Sequence, residues 1–228
     1  PAGTVAERTV VEDLGLVRLQ FENGVAVTLK QTDFADQIVQ LRVQFGRGEL
    51  EPRAVPAVDI LASSVFTASG LGAHSADDLS RVLAGRSVGI RFGVGDDSFT
   101  FSATTTPADF EVQMDVTDPG WREEGLAQYR GQAPEIRRNL YSSPTGILQA
   151  DVARMLRSGD QRYGYPDEEE VAGVDLAAIQ AFLNPALENA PIEITIVGDI
   201  SEEAVIAAVG ATFGALPERA TSWPDYAE

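Results

Sequence analysis

Asn23-Gly24, set between two alternating runs, constrains this chain more than any other feature. Asn-Gly is the strongest two-residue hairpin signal, because it tolerates the positive φ that a tight turn demands. Leu16-Val17-Arg18-Leu19-Gln20-Phe21 reads as the strand before it, and Val25-Ala26-Val27-Thr28-Leu29-Lys30 as the strand that returns. Gln37 to Phe45 then sets Ile38, Val39, Leu41, Val43 and Phe45 against Gln40, Arg42 and Gln44, a half-buried strand with one wet face. The chain must therefore build antiparallel sheet before any helix is considered.

Gly46-Arg47-Gly48 and the Pro52/Pro56 pair end this meander. From Ala57 to Ala68 the period turns helical, with Val58, Leu61, Val65 and Phe66 on one side and Gly70 and Gly72 as the stop. Ser75-Ala76-Asp77-Asp78 has the capping pattern of a helix running towards Ala84. Ser87–Val94 and Ser98–Thr105 read as a second hairpin around Gly95-Asp96-Asp97. Thr106-Pro107 opens a short helix to Val116, and Trp121 to Leu140 is helical with Gly131 and Pro134 as kink points. Ser143-Pro144 caps a helix to Arg157, and a loop with Tyr163 and Tyr165 runs on to Pro166. Asp175 caps a helix to Leu183, Ile192–Val197 is a strand, and Ser201 caps a final helix from Glu202 to Phe213.

This order predicts an α+β fold, a mixed, largely antiparallel sheet with helices packed on one face. A single domain is expected over residues 16–216, with 1–15 as a linker or extended segment and 217–228 as a polar tail or interdomain linker. Aromatics make up only 7% of the chain, so Val, Leu, Ile and Ala are expected to fill the core.

The chain has one histidine, His74, and no cysteine. Catalytic zinc usually takes three protein ligands, at least one of them His or Cys, so most zinc chemistry is excluded. Ser-His-Asp catalysis would have to run through His74 alone. The net charge of −18 argues against nucleic acid and anionic membranes as partners. It reads as a soluble acidic surface; the sharper alternative is an acidic wall facing basic peptides. No apolar run approaches the ~20 residues of a membrane span, and no signal peptide is expected within the chain. Missing cysteine excludes a disulfide framework and leaves the compartment open.

Most single features have plain readings. His74 precedes a helix cap and reads as a loop histidine, Asp96-Asp97 as turn formers, and Glu168-Glu169-Glu170 as a solvated helix start. Gly70-x-Gly72 and Gly93-x-Gly95 lack the third glycine of a nucleotide loop, and there is no G-x-S-x-G.

Five segments together carry a resemblance. They are Leu19 to Val27 around the Asn-Gly turn, Leu41 to Gly48, the loop Gly159 to Pro166, Ile194 to Ile200 with Val197-Gly198-Asp199, and Phe213-Gly214-Ala215-Leu216-Pro217. In this order the chain resembles one repeat of the pitrilysin/insulinase zinc peptidases, peptidase family M16, which includes the mitochondrial processing peptidases. The resemblance implies a LuxS/mitochondrial-processing-peptidase-like metallohydrolase fold. In the catalytic repeat of that family, H-x-x-E-H lies on the first helix after the third strand. Here those positions fall on Asp59, Ala62 and Ser63, so two ligands and the base are replaced. Glu135 lies near the family's distant third ligand and reads as a surface glutamate. The helix ending at Val116 is shorter than the family pattern, through a deletion or an unobserved segment.

The resemblance therefore implies a non-catalytic domain of a zinc endopeptidase, forming chamber wall and interdomain contacts. It implies that this chain holds no metal and that zinc sits in a separate catalytic repeat of the same or a partner chain. Peptide is the implied substrate, and a bacterial, periplasmic or otherwise exported parent fits. Arg162 and Tyr163 are the candidate substrate contacts, since the family uses an Arg and a Tyr from its non-catalytic half. That pair usually falls in the last repeat, so a packed loop is the plain reading here. The alternative function is an autonomous scaffold subunit related to processing-peptidase core proteins. A hydrolase working through carboxylates alone finds no convincing acid pair in the sequence.

Overall fold

A computed structural model describes residues 1–72, 74–115 and 119–222. Its strands are β1 (Val5–Val11), β2 (Leu16–Phe21), β3 (Ala26–Gln31), β4 (Val39–Phe45), β5 (Arg91–Val94), β6 (Phe99–Thr105) and β7 (Ile192–Gly198). They form one sheet in the order β1-β2-β3-β7-β4-β6-β5. Among the described strands only the β3–β7 pair is parallel, and the other pairs are antiparallel. The last strand in sequence thus enters the middle of the sheet, so its pairing waits for nearly the whole chain.

The helices are α1 (Val58–Ala68), α2 (Ala76–Val82), α3 (Phe110–Met114), α4 (Glu123–Leu140), α5 (Pro144–Ile147), α6 (Ala153–Leu156), α7 (Glu168–Gly173), α8 (Leu176–Asn189) and α9 (Glu202–Ala211). They cover one face of the sheet, as the alternation predicts. Leu19, Val27, Ile194, Val43, Phe101 and Phe92 form a buried row across it, each paired with the next. One residue along, Arg18, Thr28, Thr195, Arg42, Ser102 and Arg91 form a polar row facing away. The period of two in each strand places these rows on opposite faces.

The core is more aromatic than composition suggests. Phe45, Phe66, Phe92, Phe99 and Phe101 stack in one cluster with neighbouring ring centroids 4.4–6.4 Å apart. Phe182 of α8 meets Phe99 edge-on at 5.3 Å.

Several expectations change in detail. Gly24 alone takes positive φ in the first turn, and Gly24 N–H donates to Phe21 O at 3.0 Å. Glu22-Asn23-Gly24 is therefore a three-residue loop rather than a two-residue turn. Asn23 instead ties down the C-terminal segment, its Nδ2 donating to Phe213 O at 2.8 Å and Leu216 O at 3.1 Å.

Of the two readings for residues 1–15, linker or extended segment, the structure has an extended one over Val5–Val11, where β1 pairs along β2 as an edge strand. Its apolar residues fall in pairs at the ends, Val5-Ala6 and Val10-Val11, around Glu7, Arg8 and Thr9, so no alternation marked it as a strand. The start of the expected tail is also anchored. Arg219 is 5% exposed, and its Nε and Nη2 donate to Ala190 O and Ala186 O at the end of α8. Residues 223–228 lie outside the described part.

β5 is shorter than expected because Ser87 and Gly89 N–H groups donate to Asp109 Oδ2 and Gln113 Oε1 instead of to a strand. α3 is a short helix, and its expected end at Val116 and the join to Thr117 lie outside the described residues. α8 continues through Pro185 to Asn189, where packing on α1 overrides the proline. The helix from Pro144 is interrupted by a π turn, Leu148–Val152.

Candidate functional site

Asp59, Ala62 and Ser63 lie three and four residues apart, so they share one side of α1. Asp59 is 7% exposed and Ala62 fully buried. The Ser63 hydroxyl turns back and donates to Asp59 O at 3.0 Å. Where the peptidase motif would present two imidazoles and a carboxylate, α1 presents one carboxylate, a methyl group and a hydroxyl bonded to its own helix.

The carboxylate is already engaged. Arg53, in the loop before α1, places Nη1 2.9 Å from Asp59 Oδ1 and Nη2 2.5 Å from Glu49 Oε2. All three side chains are 9–13% exposed. The guanidinium also stands 5.3 Å from the centre of the Phe182 ring. A fixed organic cation thus sits between two carboxylates. Burial first, and the Asp59 charge second, push the Glu49 carboxyl up to about 7 against the pull of Arg53. Near neutral pH Glu49 is therefore protonated part of the time, which lowers the negative charge that the two acids set against Arg53.

The fold brings the second predicted site beside the first. Arg162 clasps Asp160 through Nε at 3.0 Å and Nη2 at 2.6 Å. This pairing holds the Asp160 carboxyl down at about 2. Asp160 also feels the charge of Arg53, and Arg162 that of Glu49. Any substrate group reaching for Arg162 would compete with Asp160. Tyr163 is engaged as well: Arg157 lies 3.9 Å over its ring, and its carbonyl accepts Arg154 Nε at 2.9 Å.

The loop reaches this position through Gly164, whose φ is +87°. A Cβ there would lie 2.3 Å from Ala150 O, the carbonyl in the π turn that accepts Tyr165 N–H at 3.0 Å. The Tyr165 hydroxyl then meets that of Tyr129 on α4 at 3.1 Å. Burial, Tyr165 and the nearby Asp59 charge raise the Tyr129 phenol well above its ordinary range. α4 packs against α1 and buries Leu126, Tyr129 and Ala133, while Glu135 is exposed. His74 is exposed in a tight turn, its backbone bonded both ways to Leu71.

Among the described residues no group of three or more His, Cys, Asp or Glu is placed to hold a metal ion. The sequence reading missed Glu49 and Arg53. Their spacing of four residues ahead of the motif helix was the only local sign, and their pairing with Asp59 is made through space.

No protein family's sequence profile matches the chain, and no curated protein matches it. Solved structures do. The ferredoxin protease FusC, a mutant in complex with Arabidopsis ferredoxin, matches 99% of this chain at a TM-score of 0.79 and 17% identity. The periplasmic protease PqqL from Escherichia coli matches 96% at 0.75 and 20% identity. A peptidase M16 inactive domain from Pseudomonas fluorescens matches 90% at 0.72 and 17% identity. The chain spans 26% and 25% of the first two and 52% of the third. Its fold is that of M16 peptidase domains, a mixed open sheet with helices on one face.

Proposed function

We propose that this chain is a non-catalytic domain of a zinc-dependent endopeptidase of the pitrilysin/insulinase type. It forms part of the substrate chamber wall and contacts a catalytic repeat that carries the zinc. The observation that carries this reading is Arg53 seated between Asp59 and Glu49 at the motif helix. A buried cation there repels a metal ion and occupies the one acidic side chain left at the motif positions. The fold shared with whole proteases and with a domain described as inactive supports the same reading. In this reading peptide is the substrate of the parent protein, and an exported bacterial parent fits, since one structural neighbour is periplasmic.

The test is zinc content and peptide cleavage by the purified chain after dialysis against a weak chelator. The expected result is no stoichiometric zinc and no metal-dependent cleavage. One tightly held zinc per chain, with cleavage abolished by its removal, would overturn the reading.

A further inference from the structure

The bare face of the sheet has a charge opposite to that of the chain. The chain carries −18, which alone suits a wall facing basic peptides. Yet the strand residues on the bare face include Arg18, Lys30, Arg42 and Arg91 against Glu7 and Glu193. Four cations and two carboxylates give these strand residues a net +2, although the chain as a whole is acidic.

The positive charge has a defined seat. A concavity of about 310 Å³ opens over β4, β5, β6 and β7, lined by Arg42, Arg91 and the hydroxyl side chains of Ser102, Thr104 and Thr195. Among the described residues no carboxylate lines it. Both arginines are exposed, and neither forms an ion pair with a described residue. Each pairs in register with Ser102 from opposite sides, so their backbones stand two strand spacings apart, about 10 Å. Acidic side chains two or four residues apart share one face of an extended segment and stand about 7 or 13 Å apart, spacings that bracket this distance within the reach of the arginine side chains. The polar row offers few apolar anchors, so it suits exchanging contacts better than a permanent domain interface, whose centre is apolar.

We propose that the β4–β6–β5 half of the bare face docks acidic segments of the peptide substrate, with Arg42 and Arg91 pairing their carboxylates and the hydroxyl row completing the hydrogen bonds. The proposal rests on the chamber-wall reading for the source of the peptide. Two arginines over a short reach fit a pair of carboxylates rather than the long phosphate track of a nucleic acid.

The test is fluorescence anisotropy with a labelled glutamate-rich peptide and a lysine-rich analogue. The double variant Arg42→Glu/Arg91→Glu is compared with Arg81→Glu/Arg138→Glu, which changes net charge equally at exposed positions elsewhere. Thermal unfolding confirms that both variants fold. The expected result is binding of the glutamate-rich peptide that falls at least about tenfold in the first variant and less than about twofold in the second. The lysine-rich peptide should not bind. The proposal is overturned by no binding, by equal losses in the two variants, or by equal binding of both peptides. It is also overturned if a single-stranded oligonucleotide or phosphatidylserine vesicles occupy the same arginines more tightly. Zinc content is read separately, so peptide docking with bound zinc would sink the domain reading and leave the site standing.

Discussion

The two faces of this sheet are built from the same strands and do opposite work. On one, the row Leu19, Val27, Ile194, Val43, Phe101, Phe92 is buried under helices. On the other, the row Arg18, Thr28, Thr195, Arg42, Ser102, Arg91 faces water. The first row removes apolar area from water and supplies most of the folding free energy. The second contributes little to folding and is therefore free to vary with function. The Glu49–Arg53–Asp59 cluster belongs to the covered side yet is polar, an exception that the comparison must explain.

Breaking the covered face should have the largest effect. Phe45 is 2% exposed and lies 5.1 Å from Phe101 and 5.5 Å from Phe99, centroid to centroid. Phe45→Ala leaves a cavity that the stacked rings cannot close, and should destabilise the chain by about 4 kcal/mol in urea denaturation. A loss under about 1 kcal/mol would show that the cluster relaxes like a liquid and that the covered face is not the main source of stability.

Arg53 tests the exception. Arg53→Ala leaves Glu49 and Asp59 buried without their cation and should destabilise by about 3 kcal/mol. Adding Asp59→Asn should recover part of that loss, because one of the two facing charges is then gone. If the double variant is no more stable than the single, Arg53 acts through packing on Phe182 rather than as a counter-charge.

The same cluster predicts a pH dependence. Glu49 is raised to about 7 in the folded chain, against about 4.3 for an unfolded glutamate. The folded state therefore binds more protons between these values. The stability associated with that proton is complete below the unfolded value and is lost as pH rises through about 7. A fall of about 2 kcal/mol between about pH 5 and pH 8 is expected, and Glu49→Gln should flatten it. An unchanged slope in that variant would place the titration on another group.

Legibility in the sequence follows the same division. The strands of the covered face were readable because alternation is a local signal, and β2 matches its expected span residue for residue. β1 was readable only as an extended segment, since Glu7, Arg8 and Thr9 interrupt any apolar alternation along it. The helix expected to end at Leu183 runs on through Pro185 to Asn189, because a proline's local cost is outweighed by the packing of α8 against α1. At the site, the period of α1 was readable, and the positions Asp59, Ala62 and Ser63 came from the resemblance to the peptidase family. Glu49, Arg53 and Asp160 were not, because they come from two loops that meet only once the sheet and α4 have placed them. The sign of the bare face was the least legible property of all. Composition reports the whole chain as acidic, and only the register shows which arginines stand in one row.

The smallest expected effect sharpens the comparison most. Thr195 occupies the middle of the polar row on β7, between Thr28 and Arg42, and lines the concavities on both halves of the bare face. Its mirror on the covered side is Ile194, 1% exposed. Thr195→Val keeps the shape and β-branching and removes one hydroxyl, so stability should change by less than about 0.5 kcal/mol. Ile194→Thr makes the same kind of exchange in the opposite direction one residue away. It buries a hydroxyl among apolar neighbours and should cost about 2 kcal/mol or more. Equal effects at the two positions would mean that the bare face is packed against something in solution, such as a second copy of the chain. The sharp asymmetry expected here requires that face to stay open to water, which is the condition for an acidic peptide to reach Arg42 and Arg91.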